Sequence, residues 1–168
     1  MTERQRGFTL IELLVTVTIV AVVAAMVLPA FNNSERGRLI AATRILRADL
    51  ELAAVMTISD PARPVVVRFD PAAGRYWLAY AATPDTRIPH PSSGSDYEVT
   101  FGIGRASSAA GVAIALEGVA GETIEFLPEG GITDSGAPPT ITLSHGGRWA
   151  KITIAPTTGT ISEAAGSS

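Results

Sequence analysis

The 168-residue sequence predicts an α+β protein, in which a long N-terminal helix packs against antiparallel β-sheets. The first observation is an apolar run at residues 8–30, followed by a stretch with helical periodicity. The second is a change after Pro64 to short segments rich in β-branched and aromatic residues, separated by turn-forming residues. The length is that of one domain of ordinary size.

The composition excludes several classes of protein. Charged residues make up 17% of the chain and hydrophobic residues 46%, which is not the composition of a disordered protein. The 13 basic and 16 acidic residues give a net charge of -3, which offers no overall attraction to nucleic acid. Cysteine is absent from the sequence, so disulfides, thiolate zinc sites and cysteine nucleophiles are excluded.

The first element is the apolar segment FTLIELLVTVTIVAVVAAMVLPA, residues 8–30. A helix of these 23 residues is roughly 35 Å long, enough to cross a hydrocarbon core of about 30 Å. Arg4 and Arg6 precede it, so the positive-inside rule places the N-terminus in the cytoplasm and the rest of the chain outside. The segment is therefore predicted to be a transmembrane helix.

Glu12 is the unusual residue of this segment, because a carboxylate inside an apolar helix needs a partner or a function. The junction between Gly7 and Phe8 precedes the apolar run, so a cut there would leave the helix on the mature protein. The new ammonium group on Phe8 would lie one helical turn from Glu12, and a neighbouring copy could offer the same amine. Two alternatives stay open, an uncleaved signal-anchor and a glutamate that snorkels towards headgroups.

The sequence RGFTLIELL at residues 6–14, with the apolar run that ends in Pro29, resembles the class III signal of type IV pilins and type II secretion pseudopilins. The resemblance implies that a prepilin peptidase cuts between Gly7 and Phe8 and methylates the Phe8 amine. It assigns Glu12 and Pro29 to assembly, with Glu12 setting the register of the subunit against its neighbour in a filament.

An amphipathic helix is predicted over about residues 34–56. Its apolar residues recur every three or four positions and mark one buried face, at Leu39, Ala42, Leu46, Leu50 and Ala53. The charged residues mostly fall elsewhere, at Arg38, Arg44, Arg47, Asp49 and Glu51. We expect it to continue the apolar helix with a bend near Pro29, or to be separated from it at residues 32–34 with Ser34 as its cap.

A β-rich head is predicted over residues 64–162. Val65–Phe69 and Arg75–Tyr80 form a hairpin around the turn-forming residues 70–74. Further strands are predicted at residues 97–103, 112–116, 123–127, 140–143, 149–154 and 160–161. The segment 82–96 has no core-forming run and is predicted to be a long surface loop, and residues 163–168 a frayed tail.

The end of the head resembles the GspH/FimT family of minor pseudopilins and pilins. The similarity lies in FLPEGG at residues 126–131, the strand at 140–143, the strand at 148–154 and the closing TGTI at 158–161. The proline and glycines of this pattern end strands and permit backbone conformations closed to other residues. The resemblance implies a pilin-like head.

Residues for catalysis or metal binding are sparse. His90 and His145 lack the spacing of a metal site, and Ser144 beside His145 in sequence does not face it as a nucleophile faces a base. The glycines at 102 and 104 fail the dinucleotide fingerprint. No catalytic residue, metal or cofactor is expected. The acidic stretch consists of Glu122, Glu125, Glu129 and Asp134. Calcium binding by this stretch stays open, although its spacing matches no dedicated calcium loop.

The sequence therefore predicts a structural protein and not an enzyme. The resemblance implies a minor pseudopilin of a type II secretion system, assembled through its N-terminal helix at or near the tip of the periplasmic pseudopilus to support protein export. It divides the chain into a leader at 1–7, a transmembrane helix at 8–30 and a periplasmic pilin-like domain at 31–168, with a single pass through the inner membrane.

The implied partners are the prepilin peptidase, the other major and minor pseudopilins and the inner membrane, with secreted cargo left open. Nucleic acid is not expected. The resemblance to FimT-like pilins implies that DNA binding depends on basic residues near the carboxy terminus, and the tail at 161–168 has none. Three alternatives remain. The first is a minor pilin of a type IV pilus, which would serve assembly priming, adhesion or DNA uptake. The second is a DNA receptor acting through Arg148 and Lys151, and the third is an anchored periplasmic enzyme.

Overall fold

The computed structural model describes residues 9–133 and 136–167, with the side chains of residues 24–34 outside the description. The chain divides into two units, Met1–Ser34 and Glu35–Ser168, and each is considered by itself. Helix α1 runs over Leu10–Ser59 and contributes to both. It is continuous through residues 32–34, so the break proposed there does not occur, and it ends three residues beyond the predicted Met56.

Among the described residues of the second unit, eight strands follow α1. Their bounds are β1 Val65–Asp70, β2 Arg75–Tyr80, β3 Glu98–Thr100, β4 Ala113–Glu117, β5 Thr123–Glu125, β6 Thr140–His145, β7 Arg148–Ile154 and β8 Ile161–Ser167. They form two four-stranded antiparallel sheets, in the orders β3-β2-β1-β5 and β4-β6-β7-β8. The predicted α+β architecture, a helix against antiparallel sheets, is confirmed.

The head packs around one face of α1, which the periodicity predicted. Leu39 is 5% exposed, and Ala42, Leu46, Leu50 and Ala53 are fully buried. They share one apolar core with residues of both sheets, among them Phe69 and Leu78 of the first and Leu143 and Ile152 of the second. Thr57, near the end of α1, is also buried, and its Oγ1 accepts a hydrogen bond of 2.8 Å from the Val65 backbone N–H. This bond fixes the start of β1 against the helix.

The predicted first hairpin is confirmed, and its turn explains its register. β1 and β2 pair from Val65 opposite Tyr80 to Asp70 opposite Arg75. The Asp70 carboxylate accepts from the Ala73 backbone N–H at 3.1 Å, and Gly74 takes the left-handed conformation that closes the turn. The Arg75 guanidinium also donates to the Asp70 carboxylate. The bond from the Ala73 N–H, and to a smaller extent the bond from Arg75, hold the pKa of Asp70 below its usual value.

One prediction for the end of the chain and one for the middle of the head are wrong. Residues 161–167 form strand β8, where a short strand had been expected at 160–161 and a frayed tail at 163–168. β8 pairs with β7 from Ile154 opposite Ile161 to Arg148 opposite Ser167. The strand was missed because Glu163–Ser167 is poor in β-formers, and pairing with β7 outweighs that local preference. In the middle of the head, β3 covers three residues of the predicted 97–103.

The segment 82–96 also contributes more to the head than its composition indicated. Ile88 is 2% exposed and belongs to the core. The Trp77 indole N–H donates to the Pro84 carbonyl at 2.9 Å, and Arg87 forms an isolated bridge with Ala79. The loop therefore pairs with the end of β2, with Ile88 in the core and the Pro84 carbonyl bonded to Trp77.

The glycines of the FLPEGG and TGTI motifs allow two turns to meet. The Leu127 and Ile132 backbone N–H groups donate to Gly131 and Pro156 carbonyls, at 2.9 Å each. A Cβ on Gly131 would stand 2.7 Å from the Pro156 carbonyl oxygen, and one on Gly159 would overlap the Gly130 carbonyl oxygen. Glycine is therefore required at both positions for close backbone contact, which gives this part of the family resemblance a structural reason.

Candidate assembly surfaces

The first unit presents an apolar helix on all sides. The large side chains between Leu10 and Val23 are exposed, from 49% at Val15 to 84% at Leu10. The hydroxyls of Thr16 and Thr18 donate to backbone carbonyls one turn earlier, at 2.9 and 2.8 Å, so they require no water. A helix of this kind needs an apolar cover of lipid or of other helices. No helix among the residues described reaches the combination of length and hydropathy that a membrane span requires.

Glu12 closes the start of this helix in a capping box. The Glu12 backbone N–H donates to Thr9 Oγ1 at 3.3 Å, while the Thr9 backbone N–H and hydroxyl donate to Glu12 Oε2 at 3.4 and 3.3 Å. The spacing Thr-x-x-Glu is the sequence pattern of such a box, although no cap was predicted at this position. Gly7 and Phe8 lie outside the described residues, and so does the side chain of Pro29.

In the head, one buried carboxylate joins the helix to the first sheet and its loops. Asp49 of α1 is 2% exposed, although the periodicity had placed it away from the core. It accepts hydrogen bonds from the Tyr76 and Tyr97 hydroxyls at 2.6 and 2.8 Å and pairs with Arg105. The expectation for Asp49 was wrong because a charged residue can share the buried face when it brings its own partners.

The two tyrosines of this cluster hold their protons firmly. Burial, together with the adjacent Asp49 carboxylate, raises the pKa of Tyr97 to about 12 and raises the pKa of Tyr76 well above its usual value. His90 stacks on Tyr97 with ring centroids 4.7 Å apart. Both Asp49 oxygens already accept bonds from these neighbours. The cluster therefore fastens the loops to α1 and is not arranged as a catalytic site.

A second cluster surrounds Trp77 on the outer side of the first sheet. Arg87, Arg68 and Arg75 lie with their guanidinium carbons 4.7, 5.7 and 5.9 Å from the centre of the Trp77 ring. Each of the three pairs with a carboxylate. Arg68 pairs with Asp85, Arg87 pairs with Glu98, and Arg75 pairs with both Asp70 and Glu98. The charges are balanced, so this cluster stabilises the sheet and its loop.

The remaining basic residues of α1 and β7 differ in their contacts. Arg47 pairs with Glu51 and Glu163 at 2.8 and 3.0 Å, and Arg38 donates to the Ala110 carbonyl at 3.2 Å. Arg148 lines a groove beside α1, whereas Lys151 lies 5.8 Å from the Trp149 ring centre on the opposite face of β7. The pair proposed for a DNA receptor is thus not brought together on one surface.

The histidines and the acidic stretch form no cluster in the described part of the head. His145 Nδ1 lies 2.9 Å from the Gly111 carbonyl oxygen, and His90 Nδ1 contacts Ser92. Between residues 9–133 and 136–167, no group of three or more histidine, aspartate or glutamate side chains is placed to hold a metal ion. Asp134, which the sequence analysis grouped with the acidic stretch, lies outside those residues.

Comparison with known proteins agrees with the class that this architecture defines, an apolar N-terminal helix joined to an α+β head. Residues 3–28 match the family described as the prokaryotic N-terminal methylation motif. The type IV major fimbrial protein FimA of Dichelobacter nodosus strain VCS1703A is 34% identical over 119 residues, which cover 63% of this chain and 72% of the relative. FimA of Dichelobacter nodosus without a strain designation gives the same values. No solved structure matches the chain.

The chain therefore belongs to the type IV pilin-like proteins. The resemblance of residues 6–14 and of the apolar run to a prepilin signal is confirmed. The relatives carry the name of a structural fimbrial protein.

Proposed function

We propose that the chain is a structural subunit of a pilin-like filament, and specifically a minor pseudopilin of a type II secretion system at or near the pseudopilus tip. The observation that carries the proposal is the exposed apolar helix surface at residues 10–23, which lies within the methylation motif matched at residues 3–28. Such a surface is covered when like helices bundle in a filament core, or by lipid before assembly. The head supplies contacts and no reaction.

The proposal includes processing and location. A prepilin peptidase cuts between Gly7 and Phe8 and methylates Phe8, and before assembly the chain lies once across the inner membrane with its head in the periplasm. Intact mass of the membrane-extracted protein, with and without the peptidase, tests this step. Loss of residues 1–7 with gain of one methyl group, only when the peptidase is present, is the expected result. An unprocessed chain would leave the filament proposal without support.

Glu12 has two separable roles in this proposal, as the charge that sets register and as a cap of its own helix. Glu12→Gln keeps a capping oxygen but removes the charge, whereas Thr9→Ala keeps the charge but removes the cap. If charge sets the register, Glu12→Gln and Glu12→Ala both reduce incorporation into filaments and Thr9→Ala does not. Incorporation is measured as the processed chain recovered in sheared filaments. Normal incorporation of Glu12→Gln would refute the charge role.

A second candidate is a subunit of a type IV pilus, and the similarity to fimbrial proteins favours it. The two roles differ in phenotype. Deletion of the chain reduces secreted protein in the medium, with normal surface pili, if it serves secretion. The reverse result assigns it to the pilus. Complementation with Glu12→Ala, which is expected to fail in either system, controls for effects on neighbouring genes.

A further inference from the structure

A basic groove runs between α1 and strand β8 in the second unit. It has a volume of about 660 Å³, with Arg36, Ile40 and Arg44 on the helix wall, Arg148 at its rim, and Ala165 on the strand wall. The helix residues lie four apart and therefore form one ridge. On β8, Glu163, Ala165 and Ser167 pair with Ile152, Ala150 and Arg148, so they share the side of the sheet that faces α1.

The contacts at the two ends define how the groove runs. At one end Arg47 pairs with Glu163 at 3.0 Å, and at the other the Glu35 carboxylate packs directly against Gly146 in the β6–β7 turn. The helix from 35 to 47 is about 18 Å long and the strand from 163 to 167 about 14 Å. The helix and β8 thus run antiparallel, and the groove has room for about four or five residues of extended chain.

The groove carries an excess of positive charge in the part of the head that the structure describes. Six other arginines have a carboxylate within ion-pair distance, at positions 47, 63, 68, 75, 87 and 105. Arg36, Arg44 and Arg148 have no such partner among the described residues. Glu163, the carboxylate that lines the groove, is taken by Arg47. Three positive charges are thus left facing one groove.

The strand wall is a sheet edge. β8 is the last strand in the order β4-β6-β7-β8, so among the described residues its backbone is paired on one side only. Such an edge binds an extended peptide by adding a strand. Along an extended chain, side chains four residues apart are about 13 Å from each other, close to the helical rise of about 12 Å between Arg36 and Arg44.

We propose that this groove binds an acidic, extended segment of a neighbouring pilin-like subunit. The arginines pair with acidic side chains on one face of that segment, while the β8 edge bonds to its backbone. A nucleic acid or a lipid headgroup would use the cations but not the strand edge. That the neighbour is a filament subunit rests on the proposed function, whereas binding of an acidic extended peptide does not.

The binding test uses the full chain in detergent micelles and a fluorescein-labelled peptide of alternating Glu and Val, about eight residues long. Anisotropy is expected to show binding at least about tenfold tighter than for the matching Gln and Val peptide. Arg44→Glu should weaken binding about tenfold, and Arg44→Lys much less. Arg63→Glu is the matched control, because it makes the same change in charge at an exposed arginine that pairs with Asp60. It should bind within about twofold of the parent chain.

Four results overturn the proposal. The first is equal binding of the two peptides, and the second is an equal loss of peptide affinity in Arg44→Glu and Arg63→Glu. The third is displacement of the peptide by single-stranded DNA or phosphatidylglycerol vesicles that bind more tightly through Arg44. The fourth is an Arg44-dependent dimer of the chain in sedimentation, which would make a second copy the occupant. If the chain binds the peptide but never enters a filament, the proposed function is refuted and the groove proposal stands. If the chain enters a filament without binding the peptide, the groove proposal is refuted and the proposed function stands.

Discussion

Replacement of Asp49 is the sharpest test of how the head is held together. The carboxylate accepts bonds of 2.6 and 2.8 Å from the Tyr76 and Tyr97 hydroxyls and pairs with Arg105. Tyr76 is fully buried and Tyr97 is 3% exposed, so neither hydroxyl can turn to water without opening the core. Asp49→Ala therefore leaves two buried donors without an acceptor.

The expected loss of stability follows from those groups. Each unsatisfied hydroxyl costs about 1–3 kcal/mol. The Arg105 side chain is 40% exposed, so its guanidinium can rehydrate and adds little. We expect Asp49→Ala to lower the free energy of unfolding by about 2–6 kcal/mol, the cost of two buried hydroxyls that have lost their acceptor. Domains have about 5–15 kcal/mol in total, so the variant should fold with a much lower unfolding midpoint.

The assay is urea unfolding of the full chain in detergent micelles, followed by tryptophan fluorescence, since Trp77 and Trp149 both lie in the head. Asp60→Ala is the matched control, because Asp60 pairs with the exposed Arg63 and its loss should cost less than about 1 kcal/mol. Asp49→Asn, which keeps one acceptor, should fall between the two. If Asp49→Ala costs no more than Asp60→Ala, the cluster does not fasten the loops to the helix.

Two further predictions concern single side chains of the head. Because folding raises the pKa of Tyr97 to about 12 from its usual 10.0, its contribution to stability is complete below pH about 10 and is lost as the pH rises through 12. As the pH rises above about 10, the unfolding midpoint should therefore decrease, and it should decrease less steeply in Tyr97→Phe. An equal dependence of the midpoint on pH in the two chains would refute the raised pKa of Tyr97. Thr142 Oγ1 is buried and has no hydrogen-bond partner among the described residues, so Thr142→Val should raise the free energy of unfolding by about 1 kcal/mol. The control is Thr153→Val, which removes a hydroxyl 3.2 Å from Thr140 Oγ1 and should not raise the stability measured by thermal unfolding. A loss of stability in Thr142→Val would contradict the reasoning.

Local periodicity predicted the parts of the fold that local chemistry determines. The buried face of α1 follows from apolar residues at helical spacing, and all five predicted positions are buried. The register of the first hairpin follows from the turn that Asp70 and Gly74 close. In both cases the information lies within a few residues of chain, so a pattern in the sequence is sufficient.

The misses have the opposite cause. Asp49 is buried because Tyr76, Tyr97 and Arg105 meet it from positions 27 to 56 residues away, which no local pattern contains. Strand β8 exists because β7 pairs with it, against a local composition poor in β-formers. The groove joins residues 36–44 to 148–167 and could not be seen before the fold was known. The capping box differs, since Thr9-x-x-Glu12 was legible in the sequence.

The distribution of arginine connects the stability of the head with the proposed role of its surface. The chain has a single lysine, so nearly all of its positive charge is carried by a planar group that pairs with carboxylates and stacks on aromatic rings. Around Trp77 the arginines do both, which fixes the 82–96 loop to the first sheet. The arginines at 36, 44 and 148 face the groove beside α1 and have no carboxylate partner among the described residues. Arginines that are unpaired in the head are available to a neighbour, and their position beside a free strand edge is the reason to look there for the contact.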